Sequence, residues 1–79
     1  MRRGELVEIQ WVDIHESPTG DPDTAELAPR KSVGYFWGHR RSEGVDCVVT
    51  TTTLDRVVGQ NGWCIYPKAN IRRMVRVKR

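Results

Sequence analysis

The side chains of this chain that could do chemistry are aromatic and cationic. Tyr35, Phe36, Trp37, Trp63 and Tyr66 fall in two short stretches, with Arg30, Lys31, Arg40, Arg41 and a basic C-terminal run beside them. Aromatic rings stack on bases while guanidinium groups neutralise phosphate, so a small domain can hold a nucleotide without a deep pocket. Trp11, Tyr35, Trp37 and Trp63 keep the phase of their aliphatic neighbours and read as core, because a small domain must fill its interior with large side chains. Phe36 and Tyr66 are out of that phase and are expected to be exposed. In the last stretch Arg72, Arg76 and Lys78 share a face opposite Arg73, Val75 and Val77, with Met74 between them, and each two-residue step is roughly 6–7 Å. This cationic stripe is the candidate site for an anionic ligand, with Arg40 and Arg41 as a second rim and Phe36 or Tyr66 as the stacking surface. The competing account is a stripe that only keeps an edge strand soluble, since Lys and Arg on edges deter unwanted pairing.

Other chemistries find less support. With a hairpin turn over Gly59–Gly62, Leu54 opposes Trp63 and Cys64 lies beside Thr53. Cys47 is then roughly 20 Å away along the strand, beyond the Cα separation of about 7 Å that a disulfide tolerates. Both cysteines read as buried thiols of a reducing compartment. His15, His39, Cys47 and Cys64 lack the close pairing in which structural zinc sites supply their ligands, so no metal is expected. Neither a nucleophile elbow nor a phosphate-loop lysine is present. Asp13 and Asp55 read as exposed acids at strand ends, since so short a chain has little room for a water-excluding cleft. We expect a non-enzymatic protein without a cofactor. Gly59-Gln60-Asn61-Gly62 has the spacing of the nucleotide clamp of KH domains, but that loop joins helices and a hairpin turn explains this one. Thr50 to Thr53 read as strand filler that would put two hydroxyls on each face, within reach of phosphate or base edges.

Composition bounds the rest. The chain has 79 residues of which 38% are hydrophobic, enough for one small core and a single domain over 1–79. No apolar run reaches the ~18 residues of a membrane-spanning helix, and the opening Met1-Arg2-Arg3-Gly4-Glu5 lacks the apolar stretch of a signal peptide. A soluble, cytoplasmic protein is expected. Residues 1–29 carry 2 basic and 7 acidic side chains, net −5, and residues 30–79 carry 11 basic and 3 acidic ones, net +8. Such asymmetry suggests an anionic partner for one face, unless the acidic front neutralises the basic back.

The elements that must position these residues are strands. Val, Ile and Thr number 20 together, against 3 Leu and 3 Ala, and β-branched side chains suit a pleated surface. Strands are predicted over Glu5–Ile14, Ser32–Arg40, Val45–Leu54, Trp63–Tyr66 and Ile71–Val77. The apolar phase of the first slips from Trp11 to Val12, as a β-bulge would make it. Ser17 to Arg30 reads as a long acidic loop, and Pro67 to Asn70 as a single helical turn. The expected core is Val7, Ile9, Trp11, Val33, Tyr35, Trp37, Val49, Ile65, Ile71, Val75 and Val77. The whole is an all-β, five-stranded, bent antiparallel barrel.

The order resembles the Src-homology-3-like fold. Gly62-Trp63-Cys64-Ile65-Tyr66-Pro67-Lys68-Ala69-Asn70-Ile71 carries the likeness: a strand, a proline, a one-turn helix with an Asn, and an apolar residue opening the last strand. The proline-peptide binders of that superfamily use acidic and aromatic residues in their groove, and the first loop here has no aromatic residue. Small accessory proteins of tailed bacteriophages look similar through Val7-Glu8-Ile9-Gln10-Trp11-Val12-Asp13, Ser32-Val33-Gly34-Tyr35-Phe36-Trp37 and Ile65-Tyr66-Pro67-Lys68-Ala69-Asn70-Ile71. That resemblance implies a bacterial host cytoplasm and no particular activity. Together with the residues it frames two expectations. One is a binder of an anionic nucleotide-type ligand, either a phosphorylated signalling nucleotide sequestered against host defence or nucleic acid. The other is a module that docks on a host or phage protein through the acidic loop and an open edge strand. Uncovered sheet edges also suggest a homo-oligomer.

Overall fold

Alternating sequence gives five strands in the computed structural model, which describes residues 1–54 and 58–78. They are β1 (Leu6–Asp13), β2 (Ala28–Ser42), β3 (Val45–Thr51), β4 (Trp63–Pro67) and β5 (Ile71–Arg76). Single 3-10 turns lie at Pro22–Thr24, Val58–Gln60 and Lys68–Asn70, the last where a turn was expected. No α-helix forms among the described residues. All pairings are antiparallel, and the sheet order is β4-β3-β2-β1-β5. β2 and β3 join through Glu43 and Gly44, both at positive φ (49° and 74°), the two-residue turn whose twist matches that of its strands.

The sheet is not a closed barrel, contrary to the sequence expectation. β4 and β5 end the order on opposite sides, and no ladder joins them among the described residues. It is nevertheless strongly curled. Trp11 on β1 and Tyr66 on β4 meet edge to face with centroids 5.5 Å apart, although a flat sheet would separate strands three places apart by about 14 Å. The curl encloses Val7, Ile9, Phe36, Val48 and Tyr66, against which Trp11, Ile71 and Met74 pack. Asn70 pins the turn before β5 to β1 by donating to the Val12 carbonyl at 3.1 Å.

The inner face of β1 is as expected and Ile71 at the start of β5 packs on the core as expected, but elsewhere on the other strands the phase is reversed. Phe36, Val48, Tyr66 and Met74 point inwards, whereas Tyr35, Trp37, Val49, Ile65 and Val75 take the opposite phase of their strands. Val33, an expected core residue, is 62% exposed. A shift of one residue moves a strand's whole apolar set to the other face, and here both sets are apolar. Gly34 settles the phase. It shares the inner face with Val7, and a Cβ there would sit 3.2 Å from both the Thr50 hydroxyl and the Thr51 carbonyl. The bulges also fall elsewhere. β1 pairs with β2 without a slip, and the irregularities put Trp37 as an extra residue in β2 and Arg72 as one in β5.

Phe36→Ala is expected to destabilise the protein by about 3–5 kcal/mol through the cavity it leaves. Val33→Thr, on the outer face, should stay within about 0.5 kcal/mol. Urea unfolding followed by circular dichroism compares them, and equal losses would contradict this assignment of faces.

Candidate functional site

The outer face of β2, β3 and β4 gathers the large side chains that the core excludes. Register places Tyr35, Thr51 and Trp63 in one row across the strands. Val49 opposes Ile65 in the next row, with the bulged Trp37 beside them. Trp63 is 68% exposed. Residues 2–5 hook over this face, because Glu5 N–H donates to the Arg2 carbonyl (3.1 Å) and Gly4 N–H to the Phe36 carbonyl (2.8 Å). The hook sets the Arg3 guanidinium 4.2 Å from the Trp37 ring centroid, and Arg3 Nε donates to the Trp37 carbonyl at 2.8 Å. One face of Trp37 is thus covered by a cation, a contact favoured by the ring quadrupole.

Between Arg3, Trp37, Arg40, Trp63 and Ile65 runs an open cleft of ≈ 530 Å³. A smaller recess of ≈ 140 Å³ continues it under Trp63 towards Thr51 and Asn61. Thr51 is 5% exposed, and its hydroxyl has no hydrogen-bond partner among the described residues. An orphaned buried hydroxyl costs about 1–3 kcal/mol, so a polar group entering the recess would find a partner waiting.

Glu5 anchors the hook. Its carboxylate accepts from the Arg2 backbone N–H at 2.7 Å and from Arg76 Nε. The Arg2 N–H, followed by the Arg76 guanidinium, holds this carboxyl below its ordinary value despite an opposing effect of desolvation. A carboxyl lowered in the folded state adds stability above its unfolded pKa and loses it as pH falls through the folded one.

The residues expected to bind ligand are not brought together. Phe36 and Tyr66 are only 4% and 6% exposed and belong to the core, so neither offers a ring to a base. The supposed stripe is broken: Arg76 is tied to Glu5, Arg72 sits in the bulge, and Lys78 lies beyond the end of β5. Arg41 pairs with Asp46 at 3.5 Å, and Arg40 alone of the set lines the cleft. Thr50 and Thr51 are buried and Thr52 and Thr53 lie past β3, which corrects the idea of two available hydroxyls per face. Cys64 opposes Thr50 rather than Thr53 and is exposed, whereas Cys47 is buried, and both thiols are free. His39 packs on Phe36 with centroids 5.5 Å apart, and no three potential metal ligands cluster among the described residues. Asp55 lies outside the described residues.

Apolar phase predicts Trp37 and Trp63 as core, and no spacing marks Arg3. The available signal was Asn61-Gly62 immediately before Trp63, which puts that ring at the start of a short strand. No family model matches the chain, and neither a curated protein nor a solved structure is significantly similar to it.

Native protein should react with one equivalent of a chromogenic thiol reagent, at Cys64, and with a second only in denaturant. Loss of the native reaction in Cys64→Ser identifies the site, and two fast thiols would contradict the burial of Cys47.

Proposed function

We propose that the protein is a non-enzymatic binder of nucleotide-type anions, acting through the outer face of β2, β3 and β4, and that single-stranded nucleic acid is the ligand this face fits best. The observation that carries the reading is Trp63, a tryptophan with two thirds of its surface in water on a sheet face flanked by Arg3 and Arg40. A base stacked on Trp63 would place its edge over the recess at Thr51 and Asn61 and its phosphate beside the arginines. The cleft is open along its length, which suits a strand passing through better than a small nucleotide needing enclosure.

We further propose that the chain follows an opened version of the Src-homology-3-like plan. Its support is the strand order together with the turn that leads from β4 into β5. In a phage-infected cytoplasm such a basic binder would coat nucleic acid or sequester a phosphorylated signalling nucleotide. A second reading, docking on a host or phage protein or on another copy of this chain, draws on the free edges of β4 and β5.

Fluorescence anisotropy with labelled oligo-dT and oligo-U, with cyclic dinucleotides as competitors, tests the reading. Trp63→Ala should weaken oligonucleotide binding by about 1–3 kcal/mol, the worth of one stacked base, and binding should fall as salt rises. No binding to any of these ligands, or binding that ignores both salt and Trp63, overturns it.

A further inference from the structure

The outer face carries a second groove with cations at its rim, on β1, β2 and β5 rather than β2, β3 and β4. A shallow groove of ≈ 270 Å³ lies among Gln10, Val12, Arg30, Lys31 and Arg72, with Trp11 at its margin. Sequence spacing alone could not place these residues together. Gln10 and Lys31 are register partners on the outer face. In the pairing with β5, Gln10 opposes Arg73 and Trp11 opposes Ile71, leaving Arg72 as the inserted residue. The insertion sends Arg72 to the same groove as Lys31.

The charge there is largely uncompensated. Lys31 and Arg72 make no ion pair among the described residues, and Arg30 meets Asp13 only at 4.0 Å, with both side chains about half exposed. Like charges held close repel one another and favour an anion between them. Arginine and lysine combine a planar fork with a mobile point charge, a pairing suited to the oxygens of a phosphate.

The groove also lies in line with the tryptophan cleft. Lys31 and Trp37 are on one strand, six positions apart, a distance of about 20 Å. Between them Val33 is exposed on the outer face. A stretch near the short end of known single-strand site sizes, about 4 nucleotides, would cover that distance.

Resting on the reading of the Trp63 face given above, we propose that the Lys31–Arg72 groove is a phosphodiester subsite, which holds the backbone of a single strand a few nucleotides from the base stacked on Trp63.

The test measures anisotropy of 3′-labelled oligo-dT and oligo-U, two and six nucleotides long, with 5′-hydroxyl and 5′-phosphate ends. In wild type the hexamer should bind at least tenfold more tightly than the dimer, whichever 5′ end it carries. The double variant Lys31→Gln, Arg72→Gln should lose that gain, lower the salt slope by about 1.4 for two lost contacts at ~0.7 each, and leave dimer binding unchanged. A hexamer that binds the double variant as tightly as wild type, with the same slope, overturns the subsite. If Trp63→Ala still weakens binding in that case, the reading of the tryptophan face stands without it. A gain confined to 5′-phosphorylated strands also overturns the proposal, because it assigns the groove to a terminal phosphate. Absence of all oligonucleotide binding overturns the subsite, and absence of cyclic-dinucleotide binding as well overturns both.

Discussion

The structure depends on how little room the inside of its curl provides. β2 is paired along both edges, with β1 on one side and β3 on the other, and it bends as it passes from one to the other. At the bend its inner face carries Phe36 beside Gly34, where a Cβ would press to 3.2 Å from the Thr50 hydroxyl and the Thr51 carbonyl. With five residues filling the buried cluster, every other large apolar side chain must lie at its margin or outside. The outer face is therefore aromatic as a consequence of the curl.

That consequence carries a cost. Full burial of a large aromatic side chain is worth several kcal/mol at about 25 cal/mol per Å², and Trp63 forgoes most of it. A short chain has few sources of stability to set against such a loss. The surrounding contacts show how the face is held in order. Arg3 covers Trp37, the hook of residues 2–5 is fixed by Glu5, and Glu5 is in turn held by Arg76 from the other end of the chain. The cationic rim of the tryptophan cleft is thus built by the same contacts that fasten the N-terminal segment to the sheet.

Element types and their order could be read from the sequence, because β-branched content, turn residues and the Pro67–Asn70 turn act locally. The faces could not. Along β2 the choice lay between Tyr35 with Trp37 and Gly34 with Phe36, and hydrophobicity favours the pair that is in fact outside. What decides it is the close approach of β3 to Gly34, a tertiary contact with no imprint on periodicity. The same limit explains the lost stripe. A shared face for Arg72, Arg76 and Lys78 presumes an unbroken strand, and one inserted residue sends Arg72 elsewhere. The inserted Arg72 and Trp37 are the residues each groove receives from a bulge, which is a common use of bulges at sites.

Folding offsets part of the charge asymmetry along the chain, since Glu5 and Asp13 of the acidic half pair with Arg76 and Arg30 of the basic half. The acidic loop makes no such pair among the described residues, which bears on how an anionic strand could lie. The ion pairs among the described residues are Glu5–Arg76, Asp13–Arg30 and Arg41–Asp46, and none involves Glu16, Asp21, Asp23 or Glu26. Those four acids occupy the exposed loop that leaves β1 after Asp13 and enters β2 at Ala28, adjoining the Lys31–Arg72 groove. A polyanion in that groove is repelled on the side where the loop emerges, and attracted along β2 towards Arg3 and Arg40. Glu8, the register partner of Val33, is an acid on this route, and its carboxylate accepts from the Gln10 side chain at 3.2 Å. On the proposed reading, the loop sets one end of the track and the tryptophan cleft the other. The length of strand that such a track would hold then follows from where the acidic loop joins the sheet.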